Sequence, residues 1–315
     1  MADIILEMRG ISKSFPGVKA LDRVNFRVKR GEIHCLVGEN GAGKTTLMKV
    51  LSGVHPYGTY EGDIVLNGEV QRFHGIRDSE GASIAIISQE LALIPDLTIY
   101  ENIFFGHELM KGRLVDWHRT ILESEKILKK VRLDVNPTTK VGALRVGAQQ
   151  LVEIAKTLSK NAKIIILDEP TSSLNEEDSD NLLRLLRELR DDGATIIMIS
   201  HRLREVVKIA DTVTVLRDGT TVCSLDASEK KITEREIIRH MVGREIENIY
   251  PKRERRPSDA VLFEVRNFSA RNPSTGRSVL KNVSLNVRRG EIVGLAGLMR
   301  SEERRVGKEC RSRWS

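Results

Sequence analysis

The chain has 315 residues, 40% of them hydrophobic and 30% charged, which is enough for two globular domains and too apolar for a disordered chain. Its three cysteines, Cys35, Cys223 and Cys310, lie far apart with no CxxC pair and no Cys/His cluster, so disulfide scaffolds and structural zinc drop out and a reducing, cytosolic setting is expected. The formal charge of +7 gathers at two places: residues 300–315 hold six basic against three acidic side chains, and KRERR at 252–256 stands between Pro251 and Pro257 as a solvated linker.

At the N-terminus, MADIILEMRG puts acidic and polar residues where an export signal needs a basic and then a long apolar stretch. The longest apolar runs, 164–167 and 292–299, fall short of the roughly 18 residues of a membrane span. An alternating strand is expected over 33–37. It leads into Gly38-Glu39-Asn40-Gly41-Ala42-Gly43-Lys44-Thr45-Thr46 and then an amphipathic helix, which is GxxxxGK[ST] in the strand-loop-helix setting that gives it meaning. Glycines turn the loop tightly and aim N–H groups inward, and the helix presents its positive dipole end to the same spot. In such an anion cradle Lys44 reaches the β- and γ-phosphates of a nucleotide, and the Thr45 hydroxyl takes Mg²⁺.

Between 90 and 146 the sequence turns from strand-like to helical, with a charged amphipath over 116–132. A core-facing helix is expected over 148–160 from apolar residues at 148, 151, 152, 155 and 158. The run 164–167 reads as a buried strand that ends in Asp168 and Glu169, at the strand edge where parallel α/β sheets bind ligands. Read alone, such an acidic pair is the start of a loop. Beside a phosphate loop, Asp168 suits the metal, directly or through water, and Glu169 suits polarising the attacking water. Asn175 caps a second core-facing helix, carrying Leu182, Leu185, Leu186 and Leu189 after Glu176, Glu177 and Asp178. A strand over 194–200 closes on His201.

The chain then repeats itself. ALDRVNFRVKRGEIHCLVG at 20–38 matches VLKNVSLNVRRGEIVGLAG at 279–297, and LEMRGIS at 6–12 matches FEVRNFS at 263–269. Two full copies need roughly 520 residues, so one complete copy and the start of another are expected. The counterparts of Gly41, Gly43 and Lys44 are Arg300, Glu302 and Glu303, where the glycine-rich character breaks off. The division expected is therefore a complete domain at 1–245, a basic linker at 246–260, the N-terminal fragment of a second domain at 261–299 and a non-native tail at 300–315. The rival reading of the last segment is a natural variant terminus.

GENGAGKTT at 38–46, Gln89 in IISQE, LRVGAQQLVEIAKTLSKNAKIIILDEPTSSL at 144–174 and His201 in IIMISH together resemble the nucleotide-binding domain of ABC transporters, over about 4–242. Through IRDSE, QELALIPDLTIYENIFFG, VEIAKTLSK and MISHRLREV the chain is most similar to the two-domain ATPases of bacterial monosaccharide importers, of the xylose and multiple-sugar type. The resemblance implies an α/β fold: a P-loop NTPase core of ABC type with an antiparallel β subdomain and a helical signature subdomain. It implies ATP and Mg²⁺ as cofactors, with Glu169, His201 and Lys44 catalytic and with Thr45, Gln89 and Asp168 at the metal. By the same resemblance Phe15 stacks on adenine, Gln89 senses the γ-phosphate, and His201 contacts it. Without it, Phe15 reads equally as a core aromatic, His201 as a capping or core histidine, and Gln89 as nothing in particular.

The expected partners are membrane permease subunits, through them a periplasmic or extracellular sugar-binding protein, and a second ABC domain. The expected place is the cytoplasmic face of the cell membrane, and no nucleic acid is expected. Two segments depart from the family. Its signature, commonly LSGGQ, is here Leu144, Arg145, Val146, Gly147 and Ala148, and the loop Ser172-Ser173-Leu174-Asn175 ends in asparagine where the family often has aspartate. In the family the signature closes over the ATP held by the opposite domain. The expectation is thus that the whole protein hydrolyses ATP mainly at the Lys44 site and that the 315-residue chain binds ATP and turns it over slowly. Two other readings stand beside it: a soluble ABC ATPase acting on ribosomes or nucleic acid, and a nucleotide-binding module with little turnover. The first of these usually joins its domains by a long charged helix, whereas 244–260 is short and proline-bounded.

Overall fold

The computed structural model describes residues 3–89, 91–243, 259–272, 276 and 278–295. They fall into two units, one within Met1–Glu245 and one within Ile246–Ser315. Nearly all of the basic linker and all of the tail at 300–315 lie outside the described residues.

The first unit opens with a long antiparallel hairpin, β1 (Ile4–Phe15) and β2 (Val18–Lys29). Then follow β3 (Ile33–Val37), α1 (Lys44–Leu51), β4 (Glu61–Leu66), β5 (Glu69–Gln71), α2 (Ile76–Gly81) and β6 (Ile84–Ile87). A helical insertion carries α3 (Ile99–Phe104), a small hairpin of β7 (Met110–Lys111) and β8 (Leu114–Val115), α4 (Trp117–Lys130) and α5 (Val146–Ser159). The chain returns through β9 (Ile164–Asp168), α6 (Glu176–Asp191), β10 (Thr195–Ile199), α7 (Leu203–Ile209), β11 (Thr212–Arg217), β12 (Thr220–Asp226) and α8 (Glu234–Val242).

Two sheets result. The antiparallel one has the order β2-β1-β4-β5, and the larger one β12-β11-β3-β10-β9-β6, with all neighbours parallel except β12. A parallel sheet needs cover on both faces because its crossovers run over them. Here Ile33, Cys35, Val37, Ile165, Leu167, Ile196 and Met198 pack on one side in a core with α5 and α6, while Leu36, Ile164, Ile166, Ile197 and Ile199 pack on the other with α1 and the antiparallel sheet. The expected alternation of 33–37 is therefore corrected: all five residues of β3 are buried, since both of its faces are covered. The helix expected over 148–160 starts earlier, at Val146, and the small hairpin at 110–115 had no signal strong enough to be expected. Asp116 and Asn175 cap α4 and α6 by accepting the N–H groups of Arg119 and Asp178, at 3.0 and 2.8 Å.

Polar groups brace β3 against β11 within the larger sheet and link that sheet to the antiparallel one. The fully buried His34 shares hydrogen bonds with Glu32 (2.9 Å) and Thr214 (2.8 Å), and the second Glu32 oxygen accepts from Thr212 Oγ1 (2.7 Å). Lys29 on β2 pairs with Asp226 on β12.

The second unit is described as one hairpin, β13 (Val261–Arg271) and β14 (Ser278–Arg288), followed by residues 289–295 without a strand. It reproduces the first hairpin in register. The pairs Met8/Phe26 and Ile11/Val24 have Val265/Leu285 and Phe268/Val283 as counterparts, with the same irregularity between them. Gly10 and Arg23, both at positive φ, become Asn267 and Asn282 at φ +49° and +48°. Even the brace from Arg23 N–H to Ser12 Oγ (3.0 Å) returns as Asn282 N–H to Ser269 Oγ (2.9 Å). Burial differs: Leu6 and Ile11 are inaccessible, whereas Phe263 and Phe268 are 57% and 51% exposed.

The Lys29–Asp226 pair predicts an acid-sensitive link. The Lys29 ammonium and the Ser228 donors hold the Asp226 carboxyl down at about 2, from an ordinary 3.8. A carboxyl depressed on folding adds stability above its unfolded value and loses it as pH falls through its folded value. The stability difference between the native chain and Asp226→Asn should thus be constant above pH 3.8 and close as pH falls to about 2, read from urea midpoints over that range.

Candidate functional site

The loop after β3 forms a cradle. Gly43 occupies the N-cap of α1 in the left-handed region at φ +97°, offers no side chain to the helix, and leaves the first-turn N–H groups of α1 open to an incoming anion. The close packing of this loop explains its small residues. A Cβ on Gly38 would lie 2.3 Å from the Leu216 carbonyl oxygen on β11, and one on Gly43 would lie 2.7 Å from that of Ala20 on β2. The loop is thus wedged between the two sheets.

Lys44 curls back over the loop. Its Nζ donates to the carbonyls of Gly38 and Glu39, both at 2.9 Å, and the residue is buried. Burial pushes the ammonium below its ordinary value, while the charges of Glu169 and Asp168 hold it up. Asp168, the buried last residue of β9, is pushed up by desolvation and pulled down by a hydrogen bond from Thr45. Two of the three side chains assigned to a metal, Thr45 and Asp168, are therefore in contact.

Glu169 takes the left-handed conformation at φ +49°, which is uncommon outside glycine, and its N–H donates to the Ile199 carbonyl at 3.0 Å. That turn sends its carboxylate toward the end of β10, where Oε1 lies 3.1 Å from His201 Nδ1. Glu169, His201, Asn40 and Gln89 line one open cleft of about 330 Å³. Gln89 arrives two residues after β6, and the segment beyond it is pinned: the buried Asn102 takes the Ile94 N–H (2.8 Å) and gives to the carbonyls of Ile94 and Thr98 (both 3.0 Å).

Phe15 lies at the end of β1 and is 38% exposed, so the alternative of a core aromatic falls away. His55 meets its ring edge-on at 5.5 Å and Lys13 lies over it at 5.3 Å. These neighbours were missed from sequence, since His55 stands on a different loop and carries no local pattern. Residues Leu144 to Ala148 do not line the cleft. Val146, Gly147 and Ala148 are the first turn of α5, with Arg145 as an N-cap that makes no side-chain bond, and Gly147 faces the Asp178 carboxylate of α6. Among the described residues no group of three or more His, Cys, Asp or Glu forms a metal cluster, and no helix is long and apolar enough to cross a membrane.

A parallel sheet with a phosphate loop after its central strand, an acidic pair at the end of a second strand and a histidine at the end of a third defines a P-loop NTPase of the cassette type. The ABC transporter family model matches residues 21–172 of this chain. It is 57% identical over 300 residues to the L-arabinose transport ATP-binding protein AraG of Geobacillus stearothermophilus, which covers 95% of this chain and 58% of the relative. It is 54% identical to the xylose import ATP-binding protein XylG of Thermoanaerobacter pseudethanolicus, over 95% of this chain and 59% of the relative. The chain therefore spans less than two thirds of the length of these relatives. Among solved structures, an ATP-binding cassette of an ABC transporter in its ADP conformation superposes with a TM-score of 0.66 at 25% identity, covering 76% of this chain and 99% of that one. A nucleotide-free cassette gives 0.65 at the same identity, over 76% and 95%.

The wedge at Gly38 yields a direct test. Gly38→Ala drives a methyl group into the backbone of β11, so urea unfolding should show a loss of about 1–3 kcal/mol. The conservative Thr46→Ser, in the first turn of α1, should cost less than about 1 kcal/mol.

Proposed function

We propose that this chain binds Mg-ATP at residues 38–46, hydrolyses it with Glu169 and His201, and serves as the ATP-binding subunit of an importer for a monosaccharide such as xylose or arabinose. The observation that carries this reading is the convergence of Asn40, Gln89, Glu169 and His201 on one cleft beside the buried Lys44. The sugar class rests on the relatives named above, whose printed functions are arabinose transport and xylose import.

The chain's own groups divide the work. Open N–H groups of the loop and of the first turn of α1 take the phosphate oxygens, and Lys44 moves from the Gly38 and Glu39 carbonyls to the β- and γ-phosphates. Phe15 offers an exposed ring for the base. Glu169 orients and polarises the attacking water, and His201, in contact with Glu169, faces the γ-phosphate. Thr45, hydrogen-bonded to Asp168, would with that carboxylate and the Gln89 carbonyl oxygen supply an all-oxygen donor set of the kind that suits Mg²⁺. When bound there, the ion neutralises charge developing on the phosphate oxygens.

By this reading the signature residues Leu144, Arg145, Val146, Gly147 and Ala148, which do not line the cleft, serve an ATP held elsewhere. The assembly is a peripheral one on the cytoplasmic face of the membrane, with permease subunits and a sugar-binding protein. The in-register copy of the first hairpin at 261–288 supports a tandem second ABC domain that begins near residue 261.

Two substitutions test the assignment in the purified 315-residue chain. Lys44→Ala should weaken ATP binding by at least about thirtyfold in equilibrium titration. Glu169→Gln should keep ATP affinity and lower single-turnover hydrolysis by about a hundredfold or more. Hydrolysis at the native rate in Glu169→Gln would remove Glu169 from the role of base.

A further inference from the structure

Beside the cleft stands a polar cluster that the reading above leaves unused. Arg202 follows His201 directly, and its side chain is 31% exposed. Its Nη1 donates to Glu205 Oε1 at 3.1 Å and to Ser179 Oγ at 3.4 Å, and its Nη2 donates to the Ser172 carbonyl at 3.3 Å. Glu205 is itself buried and uses its other oxygen to accept from Thr171 Oγ1 at 2.5 Å. A buried carboxylate persists only with partners of this kind, so the cluster is held as a unit.

These contacts close a ring. From the Glu169 carboxylate the path runs to His201, along the chain to Arg202, across to the Ser172 carbonyl, and back through Ser172 N–H to the Glu169 carbonyl at 3.1 Å. Inside the ring, packing is weak where precision matters. The His201 side chain is 53% exposed, so neighbouring side chains do not hold its imidazole in place, and Glu169 is held in an uncommon backbone conformation. A guanidinium suits the task of joining two segments because its planar fork fixes direction as well as distance.

We propose that Arg202 is a positioning residue for the Glu169–His201 pair: it fastens the turn that carries His201 to the loop that follows Glu169, with Glu205 holding the guanidinium in place. This rests on the reading of Glu169 and His201 as the hydrolytic pair. It adds that the Glu169–His201 spacing is set through the loop at 171–175 and not by the two strand ends alone.

The test uses the whole chain with isotope-labelled histidine, in which the His201 ring-nitrogen resonance is assigned by its loss in His201→Gln. At a fixed pH, Glu169→Ala gives the resonance of a His201 without its carboxylate. Arg202→Met is expected to move the resonance most of the way to that position, with affinity for a fluorescent ATP analogue unchanged within about twofold. Arg202→Lys, which keeps the charge and loses the fork, is expected to move it part of the way and decides the matter if Arg202→Met does not fold. A His201 resonance that moves in Glu169→Ala and stays in place in both Arg202 variants overturns the positioning role alone. A resonance that moves in none of the three removes the Glu169–His201 contact, and with it the reading on which the proposal stands.

Discussion

Four parallel strands, β3, β10, β9 and β6, finish at one edge of one sheet, and the cleft hangs from those ends. The register is tight: Ile196 to Ile199 stand opposite Ile33 to Leu36 on one side and Ile165 to Asp168 on the other. That alignment brings the phosphate loop, Gln89, Asp168 with Glu169, and His201 together from four segments spread over residues 38–201. Parallel pairing requires a crossover between each pair of strands, and the crossovers bury both sheet faces. The same requirement that builds the core thus leaves only the strand ends free for chemistry.

At those ends the chain accepts electrostatic costs that a ligand would relieve. Lys44 is buried and held only by two backbone carbonyls and by acids nearby, and Asp168 is desolvated with a threonine hydroxyl for company. Glu169 occupies a conformation that glycine takes more readily. Departures of this kind collect where charge has to be received from outside, and an anion with a divalent cation would satisfy the lysine and the aspartate together.

The two hairpins separate local from tertiary causes. Strands β13 and β14 repeat the pairing, the irregularities and the serine brace of β1 and β2 because those features depend on near neighbours, down to the positive φ at Asn267 and Asn282. Their burial does not repeat. In the first unit the apolar face of the hairpin packs on α1 and on the larger sheet, while Phe263 and Phe268 of the second stand exposed.

Sequence alone determined the phosphate loop, the acidic pair, the helix cap at Asn175 and the α/β class, because each of these is written in a few consecutive residues with a fixed spacing. The resemblance to the ABC transporter family followed from such motifs taken together. Sequence misjudged β3, whose five buried residues reflect cover on both faces that no alternation in 33–37 records. Only the tertiary structure decided that Glu169 reaches His201, that His55 and Lys13 flank Phe15, and that Arg202 and Glu205 grip the loop after Thr171. Apart from Lys13 and Phe15, which are neighbours on β1, these contacts join residues from different elements, and their distances are set by strand register and helix packing, which no local run of residues carries.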